Sequence, residues 1–492
     1  MTKSTTEKLK SVFSDTLVYK SAMKNKFLQA LGIPSFLRDW LVMRFSDEQG
    51  QIDSDQVFQY VRKTIPRKEH WESLKSDMIH DGVRARFLAK IRVEIDVKTG
   101  EGLFSLPDLG FPTRKYEAVI DPWLLREKKT LLLTDTETWG VIETEWKMEP
   151  VAGSVKEQGR VRMVDFKPFS PYQIDLSYFQ EARKEFSFEE WIDIILTAID
   201  YSPIGFLDIH EKLAMLTRLL PFLEKRLNII ELAPKGTGKS YLFSQISRYG
   251  WLISGGSVTR ARLFYDINRR SLGLVSRYDY VALDEIQSIS FSDEAEIRGA
   301  LKGYLESPSG EYRIGDFKGI GEGGVILLGN ISLDSMDDTT NMFLELPHIF
   351  QESALLDRFH GFIKGWEIPR IKENMKAEGW GLNAEYFSEI MHALREDIRY
   401  RSVVDELLSI PKGADTRDTE AIKRLTTAFV KLLFPHVITV SEINIKEINE
   451  YCVKPAIAMR HIIRKQLHIL DNEYGDIMPD IALNDSVSNV RL

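Results

Sequence analysis

Lys239 and Ser240, which close the run Ala233-Pro-Lys-Gly-Thr-Gly-Lys-Ser, are the residues best equipped for chemistry in this chain. Gly236 and Gly238 let successive backbone N–H groups curl around a phosphate, an ammonium at Lys239 reaches the outer phosphate oxygens, and a hydroxyl at Ser240 holds Mg²⁺. Pro234, Lys235 and Thr237 complete the loop. Ala233 stands where such loops usually begin with glycine, at a position no phosphate approaches. Forty-five positions beyond Lys239, the apolar run Tyr280–Leu283 ends in Asp284 and Glu285. Paired acids closing a buried strand suit nucleotide hydrolysis, Asp284 on the metal side and Glu285 orienting or deprotonating the attacking water. One acid in such a turn is ordinary; two, at this distance from a phosphate loop, are not. ATP and Mg²⁺ are the cofactors this spacing predicts.

Three more polar residues follow in the order a nucleotide-driven motor uses them. Asn330 ends the strand-like run Val325–Gly329 and reads as a first sensor holding the water or the γ-phosphate. Arg358 lies in a short linker, Leu355-Leu-Asp-Arg-Phe-His360, between a helix and a strand. From there ring ATPases reach a neighbouring subunit's γ-phosphoryl group; an in-chain salt bridge from Asp357 to Arg358 is the structural alternative. Arg417 opens the amphipathic stretch Thr416–Leu433 and is the second-sensor candidate. Glu285, Asn330, Arg358 and Arg417 are thus the expected catalytic set. This order predicts an α/β AAA+ P-loop ATPase core with a helical lid. Its active site would lie between subunits, and a head-to-tail interface repeated by rotation closes into a ring, most often of six.

The elements that must position these residues divide the chain into five expected segments. Apolar residues at helical spacing, such as Phe36-Leu37, Trp40-Leu41, Val57-Phe58 and Val61, predict a small helical domain over 1–89. Short alternating stretches at Ile91–Val97, Thr130–Leu133, Gly140–Trp146 and Arg160–Val164 predict a β-rich domain over 90–172, a small barrel of OB type. The nucleotide-binding module is expected over 173–400, the lid over 401–475 and a flexible tail over 476–492. Alternation in the β-region would put Arg160, Arg162, Lys167 and Lys147 on the solvent side, with Val161 and Val164 towards the core. Interspersed acids favour a plain solvated face; the functional alternative is a nucleic-acid collar that uses Arg160 and Arg162.

Composition bounds the rest. The chain has 492 residues, 43% of them hydrophobic, enough for ordinary buried cores. Its net charge of −8 argues against coating nucleic acid over the whole surface and leaves room for a basic pore. The polar start and the short apolar runs predict a cytoplasmic protein without a membrane partner. The single cysteine, Cys452, reads as a packed helix thiol.

Several stretches resemble the Lon-related BrxL family of bacterial BREX phage-defence systems. They are Phe186-Ser-Phe-Glu-Glu-Trp191, Asn228–Ser240, Leu252-Ile-Ser-Gly-Gly256, Asp284-Glu285, Leu328-Gly-Asn330 and, most specifically, Asp357-Arg-Phe-His-Gly-Phe-Ile-Lys-Gly-Trp-Glu-Ile-Pro369. The resemblance covers roughly Asp165 to Pro435. It implies a ring-forming AAA+ ATPase, hexameric or stacked hexamers, related in its core to MCM-type helicase motors and encircling duplex DNA alongside other BREX proteins. Arg417 gains support from that kinship. The Gly310–Gly324 hairpin sits where such motors place a pore loop, which makes Arg313 and Lys318 DNA-contact candidates. Longer family members add a Lon-like protease domain that needs a Ser nucleophile and a Lys base. Ser441 and Lys446 read as surface residues in a polar helix, and proteolysis is not expected. A protein-directed unfoldase or chaperone working with a separate protease is the competing reading, since Phe317 beside Lys318 suits either use; a slow nucleotide-dependent scaffold is the third.

Overall fold

Ile229-Ile-Glu-Leu-Ala233 is apolar at four of five positions, the composition of a parallel strand covered on both faces. In the computed structural model it is the second strand of a five-stranded sheet ordered Gly361–Lys364, Ile229–Ala233, Gly324–Asn330, Tyr280–Phe291, Gly250–Val258. Every neighbouring pair is parallel. The structure describes residues 2–21, 28, 33–47, 52–133, 138–150, 157–169, 174–268, 271–332 and 335–484. Numbered along the chain the strand order is 5-1-4-3-2, so the loops that follow the first, third and fourth strands emerge side by side at one edge. Ile230, Leu232, Val281, Leu283, Leu327 and Phe362 form the core between sheet and helices. The helices Ala384–Glu396, Arg399–Leu407, Thr416–Leu433 and Lys454–Leu470 follow the sheet. Asp415 caps the third of these, accepting from the N–H groups of Arg417 and Asp418.

The chain separates into two units, Met1–Met43 with Ile174–Leu492, and Arg44–Gln173. A helical domain over 1–89 is therefore not what forms. The helix Lys3–Phe13 packs Phe13 against Phe179 and Phe186 at ring distances of 6.1 and 6.2 Å, and Leu17–Tyr19 pairs antiparallel with Trp380–Leu382. These aromatic partners lie far along the sequence, which is why helical periodicity alone assigned the segment to the wrong neighbours. The lid boundary expected at 400/401 falls inside the helix Arg399–Leu407. Within the expected tail, Ala482–Leu483 pairs with Leu408–Ser409, and positions 485–492 lie outside the described residues.

In the second unit the helices Ser54–Thr64 and Lys68–His80 precede a closed barrel whose first strand, Ala85–Ile95, starts ahead of the expected boundary at 90. The other strands are Gly102–Ser105, Ala118–Ile120, Thr138–Pro150 and Glu157–Pro168, and the circuit runs first-second-third-fifth-fourth. The third and fifth strands pair in parallel; the remaining pairs are antiparallel. Phe87, Ile91, Phe104, Ile142, Met163 and Phe166 fill the interior, with Trp71 and Met78 from the second helix joining them. Thr130–Leu133, expected as a strand, lies in the short helix Lys129–Leu133. Val164 does not reach the core either. Thr144 pairs with Met163 and Glu143 with Asp165, so Val164 is a bulge residue and Met163 takes the inward position.

Candidate active site

The phosphate loop leaves the sheet at Ala233 and enters the helix Lys239–Gln245 through Gly238, at φ +80°, with Gly236 at φ +84°. Both glycines hold left-handed backbone that turns N–H groups towards a common point. Lys239 is buried, its Nζ 3.5 Å from the Ala233 carbonyl and 3.4 Å from Asn330 Oδ1, and burial lowers its pKa. An ammonium so desolvated, with only weak acceptors near it, is poised for an anion. Ser240 Oγ donates to Asp284 Oδ2 at 2.5 Å. A hydroxyl and a buried carboxylate converging at the end of the loop are hard oxygen donors of the kind Mg²⁺ takes, and these two residues would hold it. Such an ion would supply charge neutralisation to a bound phosphate chain.

Glu285 follows at φ +49°, a left-handed conformation rare for a side-chain-bearing residue, with its N–H on Asp284 Oδ1 at 2.9 Å and its side chain exposed. Asn330 is fixed from behind. Gln287 Nε2 donates to its carbonyl at 2.7 Å and Gln287 Oε1 accepts its N–H at 3.3 Å, which leaves the Asn330 side chain free to face Lys239. The loop has a second brace that sequence reasoning missed. Arg218 and Glu231 form a fully buried ion pair with a closest approach of 2.5 Å, and Arg218 also donates to the Thr237 carbonyl at 2.6 Å and its hydroxyl at 3.1 Å. The available signal was Glu231 itself, a charge inside an apolar strand that had to meet a cation.

The two remaining catalytic candidates lie elsewhere. His360 donates its N–H to the Asn228 carbonyl at 2.8 Å, which puts the Leu355–His360 linker at the edge where the strands begin. The phosphate loop, Asp284 and Asn330 occupy the edge where they end. A five-residue strand separates the two edges by roughly 16 Å. Arg358 and Arg417 meet each other at the first edge. Arg358 Nη2 is 2.8 Å from Glu306, Arg417 is 3.5 Å from the same carboxylate and 2.6 Å from Asp357, and Arg460 holds the other Asp357 oxygen at 2.6 Å. The in-chain partner of Arg358 is thus Glu306; Asp357 is taken by Arg417 and Arg460.

The DNA-contact candidates divide similarly. Arg313 and Lys318 are exposed and directly paired across the hairpin Glu311–Ile314 with Phe317–Ile320, Lys318 also meeting Glu311 at 2.8 Å. Arg160 is 1% exposed, bidentate to Glu101 at 2.8 and 2.9 Å and bonded to the Tyr116 carbonyl, so the expected solvent-facing position is wrong: Glu101, just before the strand Gly102–Ser105, closes over it. Arg162 is held by Asp121 at 3.4 Å and by Glu149. Ser441 is exposed and shares a hydrogen bond with Thr439, and Lys446 is exposed; neither has the buried setting of a Ser–Lys catalytic pair. Cys452 is buried, which raises its thiol pKa. Among the described residues no helix is long and apolar enough to cross a membrane.

A 5-1-4-3-2 parallel sheet carrying a glycine cradle, a buried Ser–Asp pair and a strand-end Asn defines a P-loop ATPase domain of the AAA+ class. The family model described as "Lon-like protease BrxL-like, ATPase domain" matches residues 161–480, and that of the "BREX system Lon protease-like protein BrxL N-terminal" matches residues 11–146. The chain belongs to the BrxL family of BREX systems. It is similar to the Lon-like protease BrxL of Escherichia coli O9:H4 (strain HS), 26% identical over 472 residues, 94% of this chain and 65% of that one. The Lon-like protease BrxL of Bacillus cereus (strain H3081.97) is 27% identical over 492 residues, 98% of this chain and 69% of the relative. The chain therefore spans about two thirds of the length of these relatives.

Proposed function

We propose that this chain hydrolyses ATP as a ring-forming, DNA-engaging motor or clamp in BREX-type phage defence. The observation that carries the reading is the separation of two half-sites: the cradle, Ser240–Asp284, Glu285 and Asn330 at one edge of the sheet, Arg358 and Arg417 at the other. Neither arginine reaches its own chain's phosphates, whereas a head-to-tail neighbour brings them there. In that arrangement Glu285 takes the proton of a water held by Asn330, Lys239 and the loop N–H groups hold the phosphate oxygens, and the incoming guanidiniums stabilise charge on the γ-phosphoryl group.

DNA as the polymer in the ring is supported by two features. The closed barrel has the first-second-third-fifth-fourth circuit of an OB fold, a frequent nucleic-acid binder. The hairpin presents Arg313 and Lys318 side by side. An unfoldase would offer Phe317 to polypeptide, but that ring is stacked on Tyr265 at 3.5 Å with planes 5° apart. Measuring ATP hydrolysis by wild type and Glu285→Gln, with and without duplex DNA, together with the size of the DNA-bound species, tests the reading. Expected are DNA stimulation in wild type and, in Glu285→Gln, hydrolysis down about 10²-fold or more with large ATP-bound rings retained on DNA. Hydrolysis indifferent to DNA, with no complex formed, would move the substrate from DNA to protein.

A further inference from the structure

Glu306 is the last residue of the helix Glu294–Glu306, where a carboxylate meets the negative end of the helix dipole. Its neighbours account for it. One oxygen takes Arg358 Nη2 at 2.8 Å and the other lies 3.5 Å from Arg417 Nη2, so a single exposed acid faces both arginines assigned to the neighbouring site. The hydrogen bond from Arg358 and the charges of both arginines hold its pKa below the ordinary glutamate value.

Neither arginine stands free. Arg358 also donates to the Ala354 carbonyl, and its buried Nε–H has no acceptor among the described residues. Arg417 gives its other Nη to Asp357 at 2.6 Å. A guanidinium already neutralised by a carboxylate stabilises a phosphoryl group less, so full use of either arginine requires Glu306 to let go. Asp357 is fixed by the buried Arg460 on its far oxygen, whereas Glu306 is exposed and has no such anchor.

Glu306 is also the root of the hairpin that carries Arg313 and Lys318. Ser307, the next residue, accepts the Gly310 N–H on its carbonyl at 3.3 Å and the Glu311 N–H on its hydroxyl at 2.8 Å. The two legs close at Gly310, whose carbonyl takes the Gly321 N–H at 2.9 Å. Glu311 in turn holds Lys318 at 2.8 Å, and a phosphate that takes Lys318 leaves Glu311 without that partner. A short run of contacts, Lys318 to Glu311 to Ser307, therefore ends beside the acid that grips the arginines.

We propose that Glu306 is a positioning residue that holds Arg358 and Arg417 back from the neighbouring subunit's nucleotide, and that DNA engaging the hairpin withdraws it. This rests on the reading of the chain as a DNA-engaging ring ATPase. Two arrangements compete, Glu306 on the arginines or the arginines on the γ-phosphoryl group, and DNA favours the second by its contact with Lys318.

Glu306→Gln keeps the shape of the side chain and removes its charge. Hydrolysis without DNA should rise about two- to fivefold, the rate equivalent of a part-exposed ion pair, and stimulation by duplex DNA should shrink to match while DNA affinity stays as in wild type. Mixed rings separate this from a structural effect. Lys239→Ala contributes arginines without a working cradle, and Arg358→Ala a cradle without its arginine. Glu306→Gln added to the Lys239→Ala chain should raise hydrolysis by the mixture about two- to fivefold; added to the Arg358→Ala chain it should change nothing. A DNA-free rate at or below wild type, or a gain that follows the cradle-bearing chain, overturns the assignment and leaves the ring intact. Undiminished DNA stimulation in Glu306→Gln overturns the link to the hairpin. No hydrolysis by the mixture of the two parent variants overturns the ring reading and this inference together.

Discussion

Arg218 and Glu231 carry no phosphate and do no chemistry, yet they decide whether the loop has its shape. Arg218→Met would leave the Glu231 carboxylate buried and uncompensated at the centre of a strand, a loss of about 3–5 kcal/mol. The double variant Arg218→Met/Glu231→Leu should recover most of the denaturation midpoint. It should not recover ATP affinity, because nothing then holds the Thr237 carbonyl. A second residue-scale consequence concerns acid. His360 is half-buried, accepts the Asn228 N–H on Nδ1 at 3.0 Å, and has a pKa lowered well below 6.5, first by desolvation of its ring and then by Arg424, Arg460 and Arg226. Folded chain resists protonation there while unfolded chain accepts it near 6.5. Its contribution is complete above pH 6.5 and is lost as pH falls below that value, by at most about 1.4 kcal/mol per unit. Melting temperatures from pH 7.5 to 5 should fall less steeply in His360→Asn; an unchanged slope would remove His360 from that role.

At the scale of elements, alternation and apolar runs located most strands, but not which face each side chain takes. Arg160 illustrates the limit: its alternation predicted solvent, and Glu101, in the connection just before the strand Gly102–Ser105 and about sixty positions earlier, buried it. Val164 illustrates another, since a bulge resets the register in a way no residue type announces. The hairpin escaped both problems because Gly315, at φ +57°, opens a two-residue turn with Asp316 and fixes the register locally. With Arg160 engaged, the hairpin is the better place to look for DNA contacts. Arg313→Ala/Lys318→Ala should weaken duplex DNA binding and flatten its salt dependence by about two in the log–log slope, with ATP binding unchanged. Equal affinities and slopes in the variant would exclude the hairpin as the DNA contact.

At the scale of the whole molecule, the proposed ring makes hydrolysis depend on what a neighbouring subunit brings to the edge where the strands end. Lys239→Ala and Arg358→Ala should each abolish turnover alone. Mixed in equal amounts they should regain about a quarter of wild-type activity, because a random ring pairs one intact cradle with one intact arginine at one interface in four. No recovery would place both groups in one chain's own site. The sequence by itself determined where the cradle lies, Gly236 to Ser240 with Asp284, Glu285 and Asn330 beside it, because these residues sit on local backbone and strand ends whose form short motifs dictate. It also determined the family. Only the tertiary structure decided that residues 2–21 and 33–43 belong with the ATPase unit, that Arg358 and Arg417 converge at the edge away from the phosphate loop, and that Arg218 and Glu231 brace the loop. Each of these joins groups far apart in the chain, through pairings of buried charge and aromatic surface that one sequence records as composition and not as proximity.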